Sequence, residues 1–249
     1  IAYAPAPILI VQPTLEMARA WSQDRLAPMI RDSNILKSKV ADVKSKDSGN
    51  TVLHKVFEGG HITACGANSP ASLASRPIKI VLCDEIDRYP PTAGSEGDPV
   101  MLAKRRSATF WDSKLVLTST PTVKGASAIE SAYEDSDQRL FYVPCHKCNK
   151  KQTLKWSQVQ WEKNKPETAK YICEHCEKKW TDVERVANIS KGKWKATESF
   201  NGRAGFRLNG LYSVWVTMEE AVGEFLRAKK LPETLRVFVN TYLGETWED

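Results

Sequence analysis

Ile80-Val81-Leu82-Cys83-Asp84-Glu85 decides how the rest of the chain is read. Four apolar residues, rich in β-branching, run into two acids, which is the pattern of a buried strand ending in carboxylates. It is also the Walker B pattern. There, the first acid, Asp84, holds Mg²⁺ through its water shell, and the second, Glu85, orients and deprotonates the water that attacks a γ-phosphate. A buried strand that ends in a solvated Asp-Glu pair looks the same, so the stretch alone leaves both readings open.

Working outward, strand and helix patterns alternate. Pro7 to Gln12 reads as a buried strand, followed by Thr14 as N-cap of a helix whose apolar positions are Leu15, Ala18, Trp21, Leu26 and Ile30. A polar stretch, Lys37 to Asn50, closes on the turn residues Asp47-Ser48-Gly49-Asn50. Thr51 to Glu58 and His61 to Gly66 flank Gly59-Gly60 as a hairpin. A helical turn starts at Ser69-Pro70, and Ile78 to Cys83 is a strand. Asp87 to Pro99 is an acidic, proline-rich loop, and Val100 to Thr109 a helix. Lys114 to Leu117 is a strand ending in Thr118-Ser119-Thr120-Pro121. A helix near Ser127 to Tyr133 and a strand near Leu140 to Val143 follow. Later, Val183 to Ile189, Met218 to Lys229 and Pro232 to Tyr242 read as helices, with an irregular apolar stretch from Phe206 to Trp215. This alternation predicts an α/β fold with a mainly parallel sheet flanked by helices. Ligands of such sheets bind beyond the carboxyl ends of the strands. Gln12-Pro13-Thr14, Asp84-Glu85 and Thr118-Ser119-Thr120 all stand at such ends. Each of the outer two also fits an ordinary capped turn.

The 249 residues allow one large domain or a medium one with a small one. With 41% hydrophobic and 27% charged residues, disordered and collagen-like chains are excluded. No apolar run approaches the ~20 residues of a membrane span. The chain opens without the basic and apolar regions of a signal peptide. The net charge of +6 is uneven. Gln138 to Lys195 holds 14 Lys and Arg against 6 Asp and Glu, a net of +8, leaving 22 against 24 elsewhere.

That basic segment holds Cys145-His146-Lys147-Cys148 and Cys173-Glu174-His175-Cys176, two C-x-x-C pairs with 24 residues between them. This is the spacing of a zinc ribbon. Four thiolates close a tetrahedral shell, so His146 and His175 fall outside it and the Zn²⁺ is structural. Cys65 and Cys83 sit alone in apolar surroundings and read as small buried hydrophobes. Lys147, Lys150, Lys151, Lys178 and Lys179 cluster beside the ligands. They fit phosphate contact with DNA and equally a solvated face. Trp156, Trp161 and Trp180 read as packing around the knuckle.

Taken together the motifs resemble the ATPase region of the large terminase subunit of tailed bacteriophages, of the lambda-like type. The matching residues are Ile8 to Thr14, Gly66 to Pro70, Val81 to Arg88, Leu117 to Thr122, Tyr142 to Cys145 and Asn240 to Trp247, spanning almost the whole chain. The resemblance implies a RecA-like core of the P-loop NTPase type, with an inserted ribbon and a C-terminal helical segment. The implied divisions are 1–143 for the ATPase core, 144–181 for the ribbon and 182–249 for the helical part leading to a nuclease. It implies a motor that hydrolyses ATP with Mg²⁺ to move double-stranded DNA into a capsid in the host cell cytoplasm. A portal, a small terminase subunit and a homo-oligomeric ring are the implied partners, and an endonuclease the implied second activity. Asp84 and Glu85 take the metal-associated and catalytic roles, and Thr118, Ser119 and Thr120 the coupling role. Two other readings compete: a helicase-like ATP-driven translocase and a non-enzymatic zinc-bearing nucleic-acid-binding module.

Against the family pattern, no glycine here opens a G-x-x-x-x-G-K-[ST] loop, which the family places ahead of Ile1. The nuclease carboxylates are expected after Asp249. The arginine that neutralises transition-state charge has five candidates: Arg76, Arg88, Arg105, Arg106 and Arg139. The chain by itself is therefore expected not to hydrolyse ATP. Phosphate release above background that disappears in Glu85→Gln would contradict this.

Overall fold

A computed structural model describes residues 1–40, 49–74 and 76–248. They form two compact units, Ile1–Ser119 and Thr120–Asp249. The first is built on a five-stranded sheet of β1 (Pro7–Gln12), β2 (His54–Phe57), β3 (Gly60–Gly66), β4 (Ile80–Asp84) and β5 (Lys114–Thr118) in the order β2-β3-β1-β4-β5. Only the hairpin β2–β3 is antiparallel; β3–β1, β1–β4 and β4–β5 are parallel. The turn residues Asp47 and Ser48 lie outside the described residues.

Period-two alternation sorts the strand residues into two buried faces. Ile8, Ile10, Ile62, Ala64 and Phe57 pack with Ala18 and Leu26. Leu9, Val11, Cys65, Val81 and Cys83 are buried on the other face, over which α4 (Pro70–Ala74) packs on β3 and α5 (Pro99–Arg105) on β4. The two edge strands are the exceptions: Val56 on β2 is 42% and Val116 on β5 43% exposed.

The helix predicted after Thr14 is not uniform. Thr14 accepts from the Met17 amide and caps α1 (Leu15–Trp21). The chain then widens into a π turn over Ser22–Leu26 before α2 (Ala27–Asp32), followed by the short α3 (Asn34–Lys37). Pro28 has no amide to give to the preceding turn, and the i→i−5 bond from Ala27 to Ser22 absorbs the mismatch. The helix predicted to reach Thr109 stops at Arg105, where the Ser107 hydroxyl turns back onto the Lys104 carbonyl.

In the second unit α6 (Ala128–Glu134) precedes β6 (Arg139–Pro144), which pairs with β7 (Lys151–Gln152), β11 (Lys193–Lys195) and β12 (Phe206–Arg207). The ribbon adds β8 (Val159–Glu162), β9 (Lys165–Ile172) and β10 (Lys179–Trp180) in the order β10-β9-β8. Next comes α7 (Asp182–Ile189), and the unit ends in α8 (Met218–Ala228) and α9 (Pro232–Val237). The last predicted helix continues as a π turn over Phe238–Leu243 and stops at Gly244, whose φ of 60° suits glycine. One core joins Val143, Cys145, Tyr171 and Trp180 to Leu211, Met218, Val222 and Phe238. The ribbon therefore shares its core with the helices that follow it.

The strongest polar tie in this unit is Arg185 on α7, 1% exposed. Its Nη1 donates to the carbonyls of Leu211 and Ser213, its Nη2 to that of Val216, and its Nε and Nη2 to Asp182 Oδ1. The irregular apolar stretch thus gets its shape from a charge rather than from a ladder. Arg185→Met leaves the three carbonyls unpaired and Asp182 with only the Met218 amide, and is expected to cost about 3–5 kcal/mol. A denaturant midpoint equal to that of the parent would refute this account.

Candidate functional site

The parallel register aligns the three polar strand ends. Asp84 stands opposite Thr118, and Val11, just before Gln12, opposite Cys83. The Thr118 hydroxyl donates to Asp84 Oδ1 at 2.7 Å, and the Gln12 amide donates to Oδ2 at 3.0 Å. Each oxygen of Asp84 is thus fixed by a side chain from a neighbouring strand, the Gln12 side almost wholly buried. Gln12 belongs to the polar end of the first strand, but nothing in its one-dimensional context marks its amide as Asp84's partner.

Glu85 follows in the left-handed region at φ 56°, a conformation that costs a non-glycine residue roughly 1–3 kcal/mol unless its surroundings enforce it. Two contacts do so. Asp87 N donates to Ser119 Oγ at 3.2 Å, and the Tyr89 hydroxyl donates to the Val11 carbonyl at 2.7 Å. Ser119, from the hydroxyl cluster, therefore touches the loop that carries Glu85. Thr120 begins the second unit. The Glu85 Oε2 is buried without a hydrogen bond, and Arg88 Nε lies 3.4 Å away as an ion-pair partner. Of the five candidate arginines, Arg88 alone contacts a predicted site residue among the described residues. Arg139 pairs with the buried Asp137, and Arg76 adds positive charge beside His54 and His61, whose charged forms burial already disfavours. Cys65 and Cys83 are buried, and burial pushes both thiols up to about 12, the inert state expected of them.

The second site is the cysteine cluster. Cys145, Cys148, Cys173 and Cys176 place four sulfurs within 4.8 Å of one another. An ion holding four sulfurs tetrahedrally at about 2.3 Å would space them by about 3.8 Å. The Cys145–Cys176 and Cys148–Cys173 sulfurs are 3.8 and 3.9 Å apart. The two knuckles repeat each other bond for bond. Asn149 N donates to Cys145 O and Glu177 N to Cys173 O, while Cys145 N and Cys173 N donate to Lys150 O and Lys178 O. Asn149 and Glu177 both take left-handed φ, 57° and 56°. The donor set fits a metal ion. Burial opposes ionisation of Cys145, but the backbone amides of Cys148 and Lys147 and the neighbouring sulfurs bring its thiol down to about 7. Both histidines are engaged elsewhere, as expected of residues outside the shell. His146 Nδ1 meets Asn188 at 3.1 Å and its Nε2 meets Glu184 at 3.2 Å, and His175 Nε2 lies 3.4 Å from the Lys151 carbonyl.

Gln152, 1% exposed, is a residue the spacing argument missed. It donates to Cys173 Sγ at 3.5 Å and accepts from Glu174 N. The three tryptophans pack: Trp180 lies 4.9 Å from the Tyr171 ring, and Trp156 and Trp161 join Phe225. Lys147, Lys150, Lys151 and Lys179 are exposed and, among the described residues, make no ion pair. Lys178 lies 3.9 Å from Glu184.

A mixed, mostly parallel sheet that gathers an acid, a hydroxyl and an amide at its strand ends, in a chain that also carries a four-cysteine cluster, defines an ATPase-type α/β protein. The chain belongs to the phage large terminase family of the gpA type. Residues 1–194 match the family model described as phage terminase large subunit gpA, ATPase domain, and residues 203–249 match that of the terminase large subunit gpA, endonuclease domain. The second match begins inside the segment 182–249, expected from the sequence to be the helical end of the ATPase region. The chain is 31% identical to the terminase large subunit of Enterobacteria phage P21 over 97% of its length. It is 28% identical to that of Escherichia phage lambda over 96%. In each case it spans 41% of the relative's length. A mutant ATPase domain of the Thermus phage P74-26 large terminase shares the fold, with a TM-score of 0.50 and 14% identity over 99% of this chain and 79% of that one.

Metal analysis of the purified chain is expected to return about one tightly held ion. Gln152→Leu should lower its affinity roughly 10–100-fold in competition with a chelator, the usual cost of losing a group that supports a ligand. An unchanged affinity would mean that Gln152 only fills space.

Proposed function

We propose that this chain is the hydrolysis and coupling part of a DNA-packaging motor, joined in the full protein to an endonuclease. The observation that carries this reading is the convergence of Gln12, Asp84 and Thr118 from three adjacent strand ends. Bound Mg²⁺ and ATP would supply the phosphates and neutralise their charge. Asp84, held at both oxygens, is the carboxylate that would hold the metal through its water shell. Glu85 orients the attacking water and takes its proton. Thr118 and Ser119 tie that chemistry to the loop after Glu85, since Thr118 holds Asp84 and Ser119 holds the Asp87 amide; Thr120 completes the coupling set. The open β5 edge, beside the Asp84 strand, suits a further strand carrying a phosphate-binding loop.

The proposed functional division is 1–143 for the ATPase core, 144–181 for the ribbon and 182–249 for the segment leading into the nuclease. The ion of the ribbon is Zn²⁺ in a closed, structural shell. Lys147, Lys150, Lys151, Lys178 and Lys179 contact the phosphates of double-stranded DNA, which suits a motor that must process any sequence. The portal, the small terminase subunit and further copies of the chain are the partners, in the host cytoplasm. The test is DNA-stimulated ATP hydrolysis by the full-length protein. Glu85→Gln is expected to lower kcat at least 100-fold with KM nearly unchanged, in line with loss of a positioned base. Hydrolysis at the parental rate would overturn the assignment.

A further inference from the structure

The three-stranded patch around β6 belongs to neither site. Gly192 lets the chain enter β11 across the Phe141 ring, which a Cβ at that position would strike. Because side chains alternate along a strand, register sorts the patch into two unlike faces. On one, Trp194 opposes Phe141, and Phe206 opposes Arg139. These rings meet edge to face at 5.2 and 5.0 Å, with Arg139 over Phe206. On the other, Lys193 opposes Tyr142, and Lys195 and Arg207 both oppose Leu140, one from each side.

This second face is a strip of cations. Two strand spacings separate β11 from β12, about 10 Å, so Lys195 and Arg207 bracket Leu140 across the width of β6. Lys193, Lys195 and Arg207 are exposed. Among the described residues neither lysine makes an ion pair. Arg207 reaches Glu245 at 3.5 Å, a half-exposed and therefore weak pair. From Lys191 to Arg207 the chain carries five basic residues and one acidic, a net of +4. The strip also joins two regions: β11 lies at the end of the match to the ATPase domain, and β12 in the match to the endonuclease domain.

We propose that Lys193, Lys195 and Arg207 form a second DNA seat, which contacts the phosphate backbone of duplex DNA separately from the ribbon lysines. The occupant follows from the chemistry of the face. Of the paired strand residues on this face the one ring is Tyr142, which is half-buried and has Lys195 Nζ 5.8 Å from its centroid, so a cation already lies where a base would stack; Phe141, Trp194 and Phe206 point the opposite way. Cations without stacking rings select a backbone, not unpaired bases. A duplex held here is gripped by strands from both matched regions at once, so its position is registered to the pumping and the cutting parts together. The inference rests on the packaging reading for its choice of polymer.

The experiment titrates the 249-residue chain with a labelled short duplex and with labelled oligo(dT), by anisotropy over a salt series. Lys193→Gln/Lys195→Gln is expected to weaken duplex binding roughly ten-fold at low salt and to reduce the salt slope by about 1.8, the share of two phosphate contacts. The loss should be equal for two unrelated duplex sequences. Both side chains are exposed, so the melting temperature should stay at the parental value; a fall would be answered by Lys193→Arg/Lys195→Arg, which should restore binding. Unchanged affinity and slope, while Lys147→Gln/Lys150→Gln/Lys151→Gln weakens binding, would overturn the second seat and leave the ribbon contact standing. A loss confined to oligo(dT) would overturn it in favour of a single-strand site. Absence of any duplex affinity in the parent would remove both DNA surfaces, whereas the ATPase assignment is judged separately on Glu85→Gln.

Discussion

The carboxylate of Asp84 is the point on which the first unit turns. Its two oxygens are held by Thr118 and Gln12, and those bonds exist because β1, β4 and β5 are parallel and in step. Parallel pairing puts all three carboxyl ends at one edge. A slip of one residue would send every side chain of a strand to the opposite face and take its polar end out of line with its neighbours. The hydrophobic alternation that fills both faces of the sheet therefore also sets the position of the polar groups beyond it.

In the second unit the corresponding constraint is the pair of knuckles. Cys145 and Cys173 each start a turn closed by the same amide-to-carbonyl bonds and completed by a residue with left-handed φ. Two such turns facing each other bring four thiols together, which would repel as thiolates without an ion between them. Around that centre the unit adds a conventional core and Arg185, a buried cation that stands in for secondary structure across residues 211 to 216. The ribbon is thus anchored in the shared core by Trp180 and Tyr171, beside the cluster of its four cysteines.

Much of this was legible in the sequence. The strand over Pro7–Gln12, the Thr14 cap, the hairpin at Gly59-Gly60 and the strand ending in Asp84 come from local patterns, and the structure has them all. The tryptophans beside the cysteines pack, as their size favours. The misses share a cause. The π turns at Ser22 and Phe238 and the early stop at Arg105 depend on which amides find partners, and periodicity does not record that. Gln12, Tyr89 and Gln152 act through hydrogen bonds to residues 72, 78 and 21 positions away, and a polar residue in an apolar run carries no mark of its partner.

What the sequence by itself determined is the chemistry on offer: two acids after a buried strand, a hydroxyl cluster after another, four cysteines in two pairs, and a basic segment around them. Such signals survive in one dimension because each depends on neighbours a few residues apart, where chain geometry fixes the spacing. Tertiary structure alone decided which groups meet. Strand order put Gln12 and Thr118 on either side of Asp84, strand alternation separated the cations of β11 and β12 from the aromatic rings behind them, and burial turned Arg185 from a surface charge into a brace. Those outcomes depend on register and packing between distant segments, for which burial of apolar surface, not local propensity, supplies the free energy.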